Sequence, residues 1–281
     1  MYASTFQSDQ GQTDVQHAHQ RVSAAGAASF KTIEGATKLD RLYQQGSAKI
    51  RFPKNHRLDL EAVLINTAGG LTGGDRLSWD LQLDEGADVV VSAQACEKAY
   101  RSSGDAAQLN TQLNLGKDST LHWLPQETIL YEGSALSRSY DVMMEEGATL
   151  LAVESIVLGR EAMGETIHSL QFRDRWRIRQ NGSLVFADDL RFCGGENSIA
   201  QMKDCRAVAS LLFVNGRDDE HLQSSLKALR ELCSSAWAGF SAFEGKITGR
   251  ILTKDSYALR RTLIPVLKML RGTDLPRVWR T

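Results

Sequence analysis

The sequence predicts an all-β body carrying two late α-helices, and three observations predict it. Short segments of alternating apolar and polar residues dominate from Arg21 to Val214. A turn signature between them recurs at a spacing of about 30 residues. Helical periodicity is confined to the stretch after Asp218. Candidate strands are Ser47–Phe52, Leu60–Ile65, Arg76–Leu83, Ala87–Gln94, Gln108–Leu115, Thr120–Trp123, Ser139–Met144, Thr149–Val153, Ser169–Arg179, Leu184–Asp188 and Ala207–Val214.

The repeat is visible in paired apolar positions. Leu81-x-Leu83, Leu113-x-Leu115, Val142-x-Met144 and Trp176-x-Ile178 are each followed by a single apolar residue: Val89, Leu121, Leu150 and Leu184. Between them lie Asp84-Glu85-Gly86, Gly116-Lys117-Asp118, Glu145-Glu146-Gly147 and Gln180-Asn181-Gly182, segments suited to hairpins or tight corners. Repeated units of this kind build either a β-solenoid-like stack or a sandwich of consecutive hairpins, and the pattern fits both.

After Asp218, Leu222, Leu226, Leu229, Leu232 and Cys233 form a 3.6-residue stripe, predicting an amphipathic helix over about 218–238 with an acidic first turn. A β-like pair follows at Ala242–Ile251. Asp255 is an apt N-cap for a second helix over 255–271, closed by Gly272, with Pro265 predicting a kink or a late start. Residues 21–281 are expected to form one domain. The Met1–Gln20 tail has little to bury and is expected to be disordered.

Composition excludes several classes. A net charge of −1 over 281 residues argues against nucleic-acid binding, which needs clustered Lys and Arg. No run approaches a membrane span, and the N-terminus shows no secretory pattern. Cys96, Cys193, Cys205 and Cys233 are far apart with no CxxC, reading as reduced thiols buried as small hydrophobes in a cytoplasmic protein. His17 and His19 form an H-x-H pair on the tail, two ligands that do not close a metal site. His56, His122, His168 and His221 are isolated, and surface or satisfied-core roles suit them.

The densest local signal is Asn66–Leu77, with Gly69-Gly70 and Gly73-Gly74. A phosphate loop would end in Gly-Lys-Ser/Thr and open a helix. Here Asp75-Arg76 closes the stretch and an alternating strand follows, so a structural turn is expected, with Asp75 displayed at its tip. Three polar clusters carry the remaining signal. Glu97–Ser103, with Lys98, Tyr100 and Arg101, reads as a solvated loop or as a surface for a partner or ion. Leu124–Thr128 reads as a turn. Glu154–Glu165, with Arg160 between carboxylates in an apolar context, reads equally as a structural ion pair or a functional polar path, because a buried carboxylate needs a partner or a cation. No nucleophile elbow and no H-E-x-x-H motif is present. The residues alone therefore favour a binding or assembly role.

The same blocks carry a family resemblance. Asp40–Gly46 with Ala48–Arg51, Asn66–Leu77, Cys96–Ser102, Trp123–Leu130, Leu158–Glu165 and Leu275–Trp279 resemble, in that order, the urease accessory protein family UreD, also called UreH. The resemblance spans residues 21 to 281 and implies a mostly β fold with a few helices and no enzymatic activity. It implies binding to apo-urease and to UreF, recruitment of the GTPase UreG through UreF, and an indirect link to the metallochaperone UreE. It leaves room for a dimer within the accessory complex. It also implies support of nickel incorporation, with no permanently bound cofactor and Ni²⁺ only in transit. A conduit must release its ion, so scattered carboxylates suit it better than a His/Cys cage. On that reading Asp75, Glu154 and Glu165 are the transit candidates, with Lys98, Tyr100, Arg101 and Arg160 shaping the path. The competing reading is a carbohydrate-active enzyme on a β scaffold, using Asp75 and Glu154 as its carboxylate pair.

Overall fold

The computed structural model describes residues 21–54, 59–160, 163–194, 202, 205–215, 219–234 and 236–280. The Met1–Gln20 tail with its H-x-H pair, His56, Glu161 and Asp218 lie outside the described residues.

The chain winds as stacked coils between two sheets. Strands β1 (Ser23–Ile33), β5 (Arg76–Leu83), β8 (Ala107–Leu115), β11 (Ala135–Met144) and β13 (Leu170–Gln180) run parallel to one another in the first sheet. It is flanked by β2 (Ala36–Gln45) on β1 and β14 (Ser183–Gly194) on β13, both antiparallel. In the second sheet β4 (Leu60–Asn66), β6 (Asp88–Ala93), β9 (Thr120–Leu124) and β12 (Thr149–Leu158) are parallel. Antiparallel strands extend it: β3 (Ala48–Arg51) on β4, and β15 (Ala207–Val214), β17 (Lys246–Thr253) and β16 (Trp237–Phe243) beyond β12. Parallel pairing between successive coils decides the question the sequence left open. The body is solenoid-like.

Turn chemistry shows why. At Asp84–Gly86, Gly116–Asp118 and Glu145–Gly147 only the third residue is left-handed: Gly86 (φ 67°), Asp118 (54°) and Gly147 (72°). The next residue's N–H returns to the first carbonyl, as in Ala87 to Asp84. These are corners between sheets, and they stack, with Gly86 N–H donating to Lys117 and Asp118 N–H to Glu146 of the next coil. Two adjacent left-handed residues instead mark the hairpins: Glu34-Gly35 joins β1 to β2, Asn181-Gly182 joins β13 to β14, and Glu244-Gly245 joins β16 to β17. That pair matches the twist of a two-residue hairpin loop. The fourth repeat copy is therefore a hairpin and the first three are corners.

The core fills the space between the sheets, with Leu81, Leu113, Val142 and Ile178 aligned in register across the first sheet. The second sheet is apolar on both faces. Its outer side meets helices α1 (Asp219–Leu232) and α2 (Ser256–Arg271) through Leu151, Val153, Leu211 and Phe213 against Leu226, Leu229, Leu263 and Leu267. Asp255 caps α2, accepting from Ala258 N–H at 2.7 Å, and Gly272 ends it with φ 72°. The helix starts at Ser256 and runs through Pro265, so the late start does not occur. The first helix stops well short of residue 238. Trp237, Phe240 and Phe243 are good strand formers around the helix-weak Gly239, and β17 pairs them as β16.

Candidate functional site

The parallel second sheet has two interruptions. After β6 ends at Ala93, the chain leaves the ladder and resumes as β7 (Glu97–Ala99); after β9 ends at Leu124, it resumes as β10 (Thr128–Leu130). Strand β12 spans both parts, pairing with β9 over Thr149–Ala152 and with β10 over Ile156–Leu158. These gaps border a cavity of about 430 Å³ lined by Asn66, Gly69, Gln94, Cys96, Glu97, Lys98, Pro125 and Gln126 at its outer part, and by Trp79, Trp123, Tyr140, Arg138 and Glu154 deeper in.

The Gly-rich stretch frames it. Leu71 exchanges hydrogen bonds with the chain at Lys98 and Tyr100, so the stretch continues the short ladder of β7 and β10. A Cβ on Gly70 would lie 2.4 Å from the Tyr100 ring, and one on Gly73 would lie 1.9 Å from Ser102 Oγ. Close approach explains both glycines. Asp75 is not displayed at a tip: it is 3% exposed, and its carboxylate accepts from the backbone N–H groups of Val22 and Thr72, each at 2.8 Å. It does not line the cavity that Glu154 lines.

At the cavity floor lies a buried ionic cluster. Arg138, Glu154 and Asp174 are 1%, 2% and 1% exposed. The Arg138 guanidinium donates to both Asp174 oxygens at 3.0 and 2.8 Å, to Thr128 Oγ1 at 3.1 Å, and to Glu154 Oε2. Glu154 Oε1 accepts from Trp123 Nε1 at 2.8 Å and from the Tyr140 hydroxyl. Two carboxylates thus share one guanidinium. Burial, reinforced by Asp174, pushes the Glu154 carboxyl above its usual range although Arg138 pulls the other way. Burial opposes the Arg138 charge, but Asp174 and Glu154 outweigh it and the guanidinium holds its proton more firmly than usual. Nearby, Thr111 Oγ1 and Trp176 Nε1 occupy the same register row as Tyr140 and bond to no other described protein group.

Other sequence candidates gather on the surface beside the mouth. Arg160 binds Glu165 at 3.0 and 3.1 Å and lies 4.5 Å over the Tyr131 ring, which meets Tyr100 edge-on at 5.2 Å. Glu165 also accepts from the N–H groups of Arg160 and Glu132; its Arg160 hydrogen bonds hold its carboxyl below the usual range. Arg101 stands 4.0 Å from Glu132. So Tyr100, Arg101, Arg160 and Glu165 share one surface, Lys98 and Glu154 share the cavity, and Asp75 organises the turn.

Sequence reasoning missed Arg138 and Asp174, and it placed Glu97 in a polar cluster without giving it a role of its own. The first two were findable: Arg138 falls in phase with Leu136, Tyr140 and Val142, and Asp174 with Phe172 and Trp176, charged residues at inward positions of alternating strands. Glu97 accepts from Asn66 at 3.2 Å, and burial raises its carboxyl pKa. The mouth is fastened by the C-terminal segment. Trp279 Nε1 donates to Leu124 O at 3.0 Å, and Arg260 bonds Gln126 and, at 2.8 Å, Val278 O. Cys96 at the rim donates to Glu127 at 3.4 Å, and burial with that carboxylate pushes its thiol up to about 11. Cys193 is exposed, unlike the buried Cys205 and Cys233. His122 is a core histidine whose Nδ1 accepts from Arg271 Nε at 3.1 Å. Among the described residues no group of three or more His, Cys, Asp or Glu is placed to hold a metal ion. No helix among them is long and apolar enough to cross a membrane.

Fold and site together define a solenoid-like protein with helices on one side and a largely apolar cavity that runs into its stack and carries charged groups at its mouth and floor. Comparison with known proteins makes this specific. The family model described as UreD urease accessory protein matches residues 10–280. "Urease accessory protein UreD" of Chelativorans sp. (strain BNC1) is 44% identical over 279 residues, covering 98% of each chain. "Urease accessory protein UreD 1" of Brucella melitensis biotype 1 is 45% identical over 267 residues, covering 92% of this chain and 94% of the relative. The Rhizobium leguminosarum bv. viciae protein of the same UreD name is 42% identical over 265 residues, covering 92% of this chain and 96% of the relative. The chain belongs to the UreD urease accessory protein family.

Proposed function

We propose that this chain is a cytoplasmic, non-catalytic maturation factor that binds apo-urease and UreF, reaches the GTPase UreG through UreF, receives nickel supplied ultimately by UreE, and supports its insertion into urease. The observation that carries the proposal is the cavity that leads from Glu97 and Lys98 to the buried Glu154–Arg138–Asp174 cluster. Nickel here is cargo. A conduit must offer an ion oxygen donors without caging it, and two carboxylates against one guanidinium do so. With both carboxylates ionised the cluster has one negative charge in excess, which favours a passing cation. Arg138 keeps the affinity low by occupying oxygens on both acids. The hydroxyl of Thr111 and the indole N–H of Trp176 line the interior beyond Tyr140 and suit a hydrated route.

The reading is tested with Glu154→Gln, which keeps the side chain's shape, removes its charge and leaves one acceptor oxygen where Glu154 has two. Co-expressed with urease, UreF, UreG and UreE, the variant should form the accessory complex on size exclusion yet leave urease with several-fold less nickel by metal analysis. Full nickel loading with an intact complex would overturn it. Glu165→Ala and Asp75→Ala are poorer probes, because Glu165 anchors Arg160 and Asp75 holds two backbone amides.

A further inference from the structure

The two helices contact β12, β15, β16 and β17 of the second sheet. The outer face of the first sheet lies on the opposite side of the body, and its strand β13 carries an unusual series. Arg173, Arg175, Arg177 and Arg179 alternate with the buried Phe172, Asp174, Trp176 and Ile178, so all four guanidinium-bearing side chains leave on the outer face. Arg191 on β14 stands directly opposite Arg173. Like charges facing each other across a ladder repel, and Asp189 offsets this for the Arg173–Arg191 pair alone. Two carboxylates serve the series: Asp189 binds Arg173 and Arg191 at 2.7 Å each, and Asp141 lies 3.9 Å from Arg179. Arg175 faces Asp189, whose carboxylate is already engaged, and makes no ion pair among the described residues. Beside β13 the face is mostly polar, with Ser137, Ser139, Asp141 and the exposed Met143 on β11 and then Gln108, Asn110, Gln112 and Asn114 on β8 in register.

We propose that this face docks an extended acidic segment of a partner protein, laid along β13 with carboxylates at every second residue. The argument is charge and spacing. Alternate residues of a parallel strand are about 6.6 Å apart, and an extended peptide repeats its side chains at the same interval. Arg175 and Arg179 present planar forks suited to a carboxylate. Arg177 keeps Nε and Nη2 beside the Nη1 that donates to Trp176 O at 2.7 Å and Asp188 O at 3.2 Å, and Arg173 is already forked on Asp189. A helix would match the series at one or two points only. A long nucleic acid would run past the arginines onto a chain whose net charge is −1 even with these arginines counted. The proposal is independent of the nickel route, since none of these arginines lines the cavity.

The test uses the full chain and fluorescent peptides of about a dozen residues. One alternates Glu with Thr; the other has the same composition with its Glu residues grouped. Phosphatidylglycerol-containing vesicles and a single-stranded oligonucleotide serve as competing polyanions. The alternating peptide should bind at least about threefold more tightly than the grouped one. Arg175→Glu/Arg179→Glu should weaken it by roughly tenfold or more with an unchanged melting temperature, and Arg175→Lys/Arg179→Lys should fall between. If the double reversal does not fold, Arg175→Gln replaces it, with severalfold loss expected. Equal affinity for the two peptides, insensitivity to these variants, or tighter binding of vesicles or oligonucleotide would each overturn the proposal.

Discussion

Two cross-sections of the same stack differ in everything except backbone. One row in from the corners the inward row reads Leu81, Leu113, Val142, Ile178; two rows further on it reads Leu77, Leu109, Arg138, Asp174. Register, strand spacing and coil length are shared. Contents are not. The first row closes the stack as a dry core, and the second places a guanidinium and a carboxylate where the repeat elsewhere places leucine. Between them the row Trp79, Thr111, Tyr140, Trp176 is amphipathic: the Tyr140 hydroxyl donates to Glu154, while Thr111 Oγ1 and Trp176 Nε1 bond to no other described group. The difference teaches that a solenoid fixes where a side chain points and leaves each coil free to choose what it holds.

Breaking the polar row should cost most. Arg138→Ala leaves Glu154 and Asp174 buried without a cation, an expected loss of about 3–5 kcal/mol read from urea denaturation. Arg138→Met combined with Glu154→Gln and Asp174→Leu should recover most of it, the introduced amide oxygen still accepting from Trp123 and Tyr140. The dry row should cost somewhat less: Leu113→Ala removes a fully buried side chain and is expected to lower stability by about 3 kcal/mol, with no pH dependence of its own. The corners sharpen the comparison further. A Cβ on Gly147 would lie 1.9 Å from Asp118 Oδ1, while one on Gly86 meets only Thr32 Oγ1 at 3.8 Å. Both are left-handed, so Gly86→Ala should cost about 1 kcal/mol and Gly147→Ala about 2 kcal/mol.

The smallest expected effect is electrostatic. Glu154 has its folded pKa raised above the ordinary value of 4.5, so its contribution is fully present below that value and is lost as pH rises through the folded pKa. The stability of the wild-type chain relative to Glu154→Gln should therefore decline as pH rises above the ordinary carboxyl value of 4.5. Carboxylates held low, Asp189 and Glu165 by their arginines, act in the opposite direction in both proteins and cancel in the difference.

Much of this was legible in the chain. Arg76–Leu83, by its alternation, and Ala207–Val214, by its apolar run, emerge with the bounds expected, and the repeat of about 30 residues is the coil. The turn segments were legible as hairpins or corners without a choice between the two, because the deciding quantity is whether one or two adjacent residues are left-handed. Strands β7 and β10 are three residues each, too short for any period to register. Of the site, Glu154 stood out as a carboxylate in an apolar run, while Lys98 signalled only a polar surface. Arg138 and Asp174 were hidden by a habit of reading charge as exposure, although their phase placed them inside. That Trp279 would reach Leu124 had no local signal, since the contact depends on how α2 lies across the second sheet.

The interruptions at residues 94–96 and 125–127 have an evolutionary consequence. Strands on both sides of each break keep their partners, so a residue gained or lost there changes the rim without shifting any coil against its neighbour. Insertions in such breaks are thermodynamically cheap. Lineages can therefore retune the entrance piecemeal, in width or in charge, while inheriting the stack unchanged.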